Sequence, residues 1–196
     1  MFNMTEEDLQ ERNGIHTARE IAQQPAVWKK IIDDWKEKRE SFRQFLEDVL
    51  KKHGNVKVIF TGAGTSAFIG DIVVPELRGQ NHESLDFAAI PTTDIVAAPT
   101  KYLRKHQPTI LVSFGRSGNS PESVAAMEIA RKAVDTLYQV VITCNKNGEM
   151  VKAVEGDDQS YLILLPEETH DQGFAMTSSF SGMALAAYLY FSVRPM

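Results

Sequence analysis

The sequence predicts an α/β fold, a five-stranded parallel sheet with helices on both faces, preceded by an N-terminal helical hairpin. Three observations carry this. From Val56 onward, short apolar runs alternate with helical segments, the pattern of a parallel sheet covered on both sides. Two Gly- and Ser-rich loops, Thr61-Gly62-Ala63-Gly64-Thr65-Ser66 and Ser113-Phe114-Gly115-Arg116-Ser117-Gly118-Asn119-Ser120, each follow an apolar run and precede a helix. Before Val56 the apolar residues recur at helical spacing instead.

In order along the chain, Thr5 followed by Asp8 caps a first helix reaching about Gln23. Pro25 suits the first turn of a second helix. Its apolar face holds Val27, Trp28, Ile31, Trp35, Phe42, Phe45 and Val49, with charges on the other face. This arm or lid covers residues 1–53, and a single domain is expected over 54–196. The expected strands are Val56–Phe60, Ser84–Ala89, Thr109–Phe114, Tyr138–Thr143 and Tyr161–Leu165. Helices are expected over Ser66–Arg78, Thr100–Lys105, Pro121–Val134, Gly148–Val154 and Thr177–Phe191, with Pro75 kinking or ending the first of these. The last helix is apolar around most of its circumference, so it needs cover on every side, from within the domain or from a partner.

Composition excludes several classes. A hydrophobic fraction of 43% and a charged fraction of 24% are ordinary for a globular domain. With 21 Lys plus Arg against 26 Asp plus Glu, the net charge of −5 argues against nucleic acid or an anionic membrane as partner. The acidic start lacks an export signal, and the apolar stretch from Met183 to Val193 falls short of the roughly 20 residues that span a bilayer. The one cysteine, Cys144, ends an apolar run and reads as a buried thiol in a reducing cytoplasm.

Strand, hydroxyl-rich loop, then helix is how an α/β protein builds a phosphate cradle. Glycine lets backbone N–H groups turn toward the anion, and the helix N-terminus adds its positive dipole end. Two such loops point to a phosphorylated small molecule. The first loop alone also satisfies a G-x-G-x-x-A dinucleotide pattern, with Asp86 placed as a ribose-binding acid. The second loop argues otherwise. Ser120 can cap the next helix, Pro121 suits its first position, and Arg116 reads as a phosphate or carboxylate ligand. A third segment, Pro166-Glu167-Glu168-Thr169-His170-Asp171, leads to Thr177 and Ser178, which can cap the last helix and face the same ligand. Glu168, His170 and Asp171 could supply acid–base chemistry or form a solvated loop.

Together these segments resemble the sugar isomerase (SIS) domain family. Within it, Phe60–Ala67, Arg116–Ser123 and Phe174–Ser179 are similar to the tagatose-6-phosphate ketose/aldose isomerase branch, also described as galactosamine-6-phosphate deaminase/isomerase. The resemblance implies a flavodoxin-like sheet and a cytoplasmic enzyme acting on a sugar phosphate, with no cofactor and no metal. It places Ser117 and Ser120 on the phosphate, with Arg116 and Asn119 beside them. Gly64, Thr65, Ser66, Thr177 and Ser178 fall toward the sugar. The resemblance places Gly115 where one related isomerase domain has a serine. Glu168 is the best local candidate for the catalytic base. Members of this branch resemble two SIS domains in tandem, which implies an N-terminal half that pairs with a second SIS domain or with its own copy. A non-catalytic sugar-phosphate sensor is the alternative.

Overall fold

The computed structural model describes residues 4–80 and 82–193; residues 1–3 of the expected arm and 194–196 of the expected domain lie outside them. The chain opens with α1 (Glu6–Glu11), whose capping box joins Thr5 and Asp8 as the sequence predicts. Asn13, in the left-handed region at φ 54°, then turns the chain into α2 (Ile15–His53), a helix of 39 residues. The arm therefore has two helices of unequal length, divided at Asn13-Gly14 rather than at Pro25. Pro25 lies on the exposed side of α2. The carbonyl that its missing N–H leaves free can be hydrated there, and packing further along outweighs the lost bond.

Five strands follow: β1 (Val56–Gly62), β2 (Leu85–Ala89), β3 (Thr109–Gly115), β4 (Leu137–Thr143) and β5 (Ser160–Leu164). All pair in parallel in the order β2-β1-β3-β4-β5. Each agrees with its sequence expectation to within two residues. The helices are α3 (Ala67–Arg78), α4 (Thr92–Ala97), α5 (Pro99–Tyr102), α6 (Pro121–Ala133), α7 (Glu149–Lys152) and α8 (Ser178–Phe191). α3 runs three residues past Pro75, so that proline does not end it.

Side-chain alternation along β1, β3 and β4 splits the core in two. Val58, Phe60, Ile110, Val112, Val140 and Ile142 face α3 and α8. Ile59, Leu111 and Val141 face the layer that includes Ile95 of α4 and Ala126 and Met127 of α6. α8 receives the cover that its apolar sequence demands. The sheet packs on one side, and Val27, Ile31 and Phe42 of α2 on the other. Phe42 meets Tyr190 and Phe191 edge-on at 5.0 and 5.1 Å, and burying such a ring is worth about 1.5–3 kcal/mol. An apolar groove of about 580 Å³ lies at the opposite end of the sheet from the loops, lined by Trp35, Leu46, His82, Leu85 and Val193 among others.

Candidate functional site

Because β1 and β3 are neighbours whose following connections run to opposite sides, their C-terminal ends leave a crevice between diverging chains. Open α/β sheets bind ligands at such a switch point. Both glycine loops border it. After β1, Gly64–Ser66 form one 3-10 turn leading into α3. Gly62 makes that turn possible: a Cβ there would sit 2.6 Å from the backbone of Ser66. Thr65 is exposed, whereas Ser66 is buried with its hydroxyl 3.8 Å from Met176 Sδ.

The loop after β3 is held by its outward-turned acceptors. The Ser117 carbonyl accepts from Asn145 Nδ2 at 2.7 Å, that of Gly118 from Met150 N at 2.9 Å, and that of Gly115 from Thr143 Oγ1 at 2.6 Å. Gly118 adopts φ 65°, a conformation that disfavours a side chain. With its carbonyls engaged, the loop leaves the backbone N–H groups of Arg116, Ser117, Gly118 and Ser120 without an acceptor among the described residues. The same holds for Ala63, Gly64 and Thr65 on the first loop. Two rows of free donors bordering one crevice can bind an anion with several oxygens.

Several expected ligands have other work. Ser120 donates its hydroxyl to Ser123 Oγ at 2.6 Å and makes no cap bond to α6. Asn119 Oδ1 accepts from Glu149 N at 2.9 Å, leaving only its amide N–H groups for a ligand. Arg116 Nη1 reaches the Gly173 and Phe174 carbonyls at 2.9 and 3.4 Å, strapping the second loop to the third. A guanidinium has five donors, so this strap leaves others free. A Cβ on Gly115 would lie 2.7 Å from Met150 Sδ, so the core side chain occupies that space.

The third segment is built differently from expectation. The buried Asp171 carboxylate accepts from the N–H groups of Thr177, Ser178 and Ser179 at 2.7, 3.1 and 2.9 Å, and from the Ser179 hydroxyl at 2.5 Å. It fills the α8 N-terminus with an internal anion, so Asp171 is a structural cap. Ser178 is fully buried, donating to the Glu20 carbonyl at 2.7 Å and accepting from Gln23 Nε2 at 3.0 Å; it faces α2 and not the crevice. Thr177 Oγ1 turns to Asp171 at 3.2 Å. Glu20 of α2, which the sequence did not single out, anchors the segment by accepting from Gln172 N and Gly173 N at 2.6 and 3.0 Å.

Glu168 is exposed and paired with Lys30 of α2, and the hydrogen bond from that ammonium holds its carboxyl below the usual range. A carboxylate stabilised in its charged form is a poor proton acceptor. Burial pushes the Cys144 thiol up to about 12, which fits a packed thiol and not a nucleophile. The dinucleotide reading loses its acid. Asp86 sits near the start of β2, opposite and bonded to Lys57 at 2.7 Å, away from the loops. Among the described residues no group of three His, Cys, Asp or Glu could hold a metal ion, and no helix is long and apolar enough to cross a membrane.

Residues 52–193 match the family model of the SIS domain. The chain belongs to the SIS domain family. Among curated relatives, this SIS chain is 45% identical over 179 residues to D-galactosamine-6-phosphate deaminase AgaS of Escherichia coli, covering 91% of the chain and 46% of the relative. A crystal structure of a Clostridium novyi NT protein superimposes with a TM-score of 0.92 at 44% identity, over 97% of this chain and 48% of that one. The tagatose-6-phosphate ketose/aldose isomerase of Escherichia coli gives a TM-score of 0.85 at 42% identity, over 92% and 48%. The SIS chain thus spans about half the length of the relatives it matches.

Proposed function

We propose that this chain carries the phosphate-binding site of a cytoplasmic sugar-phosphate isomerase/deaminase acting on a ketose or amino-sugar 6-phosphate of the tagatose or galactosamine type. The observation that carries the reading is the pair of free N–H rows on the two glycine loops, taken with the names of the relatives. In this reading Gly64, Thr65 and the backbone from Arg116 to Ser120 hold the phosphate. The Ser117 hydroxyl is the side chain best able to donate, since it accepts only from Asn119 N at 3.3 Å. Helix α2 backs α8, and the domain that follows it carries the cradle.

The chemistry opens the sugar ring and moves a proton between C1 and C2 through an enediol or enolamine; an amino sugar then releases ammonia. A base is needed for that transfer. With Glu168 held by Lys30, the reading takes the base from a paired SIS domain or second copy. Exposed apolar residues support such pairing: Phe68 and Ile72 lie one turn apart on α3, and Phe174 is fully exposed on the strapped third segment. The engagement of Glu168 by Lys30 and of Asp171 by the α8 amides favours a second reading, a non-catalytic sugar-phosphate sensor.

A thermal-shift titration tests the proposal with galactosamine 6-phosphate, tagatose 6-phosphate, glucosamine 6-phosphate, inorganic phosphate and NAD. Ligand at a hundred times its Kd stabilises by about 2.7 kcal/mol, or roughly 5–11 °C at this chain length. A shift with a sugar phosphate that shrinks in Ser117→Ala supports the cradle. A shift with NAD alone overturns it. Ketose formation from galactosamine 6-phosphate separates the enzyme from the sensor.

A further inference from the structure

Among the described residues, three buried side-chain polar atoms have no hydrogen-bond partner: Thr61 Oγ1, Ser113 Oγ and His82 Nε2. The first two belong together. Thr61 and Ser113 are register partners on β1 and β3, so their side chains share one face of the sheet. It is the face of α4 and α6, because Ile59 and Leu111, two residues earlier on these strands, pack with Ile95, Ala126 and Met127. Thr61 is 1% exposed and Ser113 2%. Each stands at the end of its strand, where the apolar layer gives way to a glycine loop.

An unpaired buried hydroxyl is costly, whereas an apolar residue of the same shape carries no such cost. Two such hydroxyls side by side, beneath the crevice and nowhere else in the sheet among the described residues, mark a polar floor. Cα atoms of paired strand residues lie about 5 Å apart, a spacing at which one water can bridge the two hydroxyls. Buried waters make about three hydrogen bonds. The flanking Ile59, Leu111 and Ile95 offer none, and the hydroxyls of Thr92 and Thr143 at this end of the face already donate to the Gly62 and Gly115 carbonyls, which leaves the loop side for the third.

We propose that Thr61 and Ser113 jointly hold one buried water that donates to the anion bound between the loops, which makes them positioning residues of the site. The inference rests on the sugar-phosphate reading and deepens it. Water-mediated bonds are nearly as favourable as direct ones, so the pair strengthens binding through that water.

The test is titration calorimetry of Thr61→Val/Ser113→Ala with galactosamine 6-phosphate and inorganic phosphate, alongside the unliganded melting temperature. The expected result is an unchanged or raised melting temperature with about tenfold weaker binding. Thr61→Ser, which keeps the hydroxyl, binds as the wild type does. Should the double variant not fold, Ser113→Ala alone reads the same way, with about threefold weaker binding. A variant that binds like the wild type overturns the inference and leaves the sugar-phosphate reading standing, and equal loss in Thr61→Ser and Thr61→Val also overturns it. A wild type that binds neither probe removes both.

Discussion

Two helices start at the same edge of the sheet behind similar sequences, Ser120-Pro121-Glu122-Ser123 for α6 and Thr177-Ser178-Ser179 for α8. Both read as hydroxyl-capped anion sites, yet the fold uses them in opposite ways. At α8 the first amides are taken by Asp171, and the hydroxyls of Ser178 and Ser179 point into the protein. Before α6 the carbonyls are tied back to the end of β4, the β4–α7 connection and α7, and the amides stay free. A helix N-terminus is open to a ligand only where no internal carboxylate has filled it. Hydroxyl content does not distinguish the cases; the route taken by the nearest acid does.

The largest effect is expected from emptying the filled terminus. Asp171→Ala leaves three amides and two hydroxyls without their acceptor. The expected cost is about 3 kcal/mol, or roughly 6–12 °C in melting temperature. Cys144 is a built-in reporter of this region. Its thiol is pushed up to about 12, chiefly by burial, and the Asp171 carboxylate raises it further. The wild-type thiol is therefore expected to resist a thiol-reactive dye at pH 8, and Asp171→Ala to react faster. A variant of wild-type stability would show that α8 needs no internal anion, and the contrast between the termini would collapse.

That contrast also marks where the sequence stops being informative. The strands were legible because each is a short apolar run ended by Gly, Pro or a polar turn. α4 was not, because its β-branched Thr92, Thr93, Ile95 and Val96 carry little helix preference. It is held by tertiary contacts instead, with Thr92 Oγ1 donating to the Gly62 carbonyl at 3.1 Å and Ile95 fully buried. The two glycine loops were legible because their local conformation, including φ 65° at Gly118, needs particular residues. Glu20 was not, since its partners Gln172 and Gly173 lie about 150 residues away. Arg116 was read as a ligand from its polar loop, whereas its first partners are carbonyls of the third segment. Long-range polar pairing leaves no local pattern.

At the open terminus, stability and binding should separate. Gly118→Ala forces a side chain into the left-handed region beside Thr143 Oγ1 and Gly148 Cα, at 3.3 and 3.4 Å. A cost of about 1–2 kcal/mol is expected, together with loss of the sugar-phosphate-induced thermal shift, because the amide row no longer aligns. Ser117→Ala removes a half-buried hydroxyl whose one hydrogen bond among the described residues is a long one from Asn119 N. Its unliganded stability should change by less than about 1 kcal/mol, while calorimetry reads about tenfold weaker sugar-phosphate binding. A binding loss no larger than the stability loss would mean that this loop is as structural as the α8 cap.

The smallest effect is expected beside the filled terminus, at the Lys30–Glu168 pair. Both side chains are largely solvent-exposed, 56% and 43%, so the attraction is screened and the ordering of two long chains offsets much of it. Lys30→Ala should therefore change stability by less than about 0.5 kcal/mol in a denaturant melt. It does change the proton affinity of Glu168. The Lys30 ammonium lowers that carboxyl in the folded protein, so the pair's small contribution is full above the ordinary carboxylate range and is lost as pH falls through it. Removing Lys30 raises the Glu168 titration, observable by NMR, and should leave sugar-phosphate binding untouched. If Lys30→Ala or Glu168→Gln instead weakens binding as much as Ser117→Ala does, the third segment joins the site after all, and the division between an open and a filled terminus is redrawn.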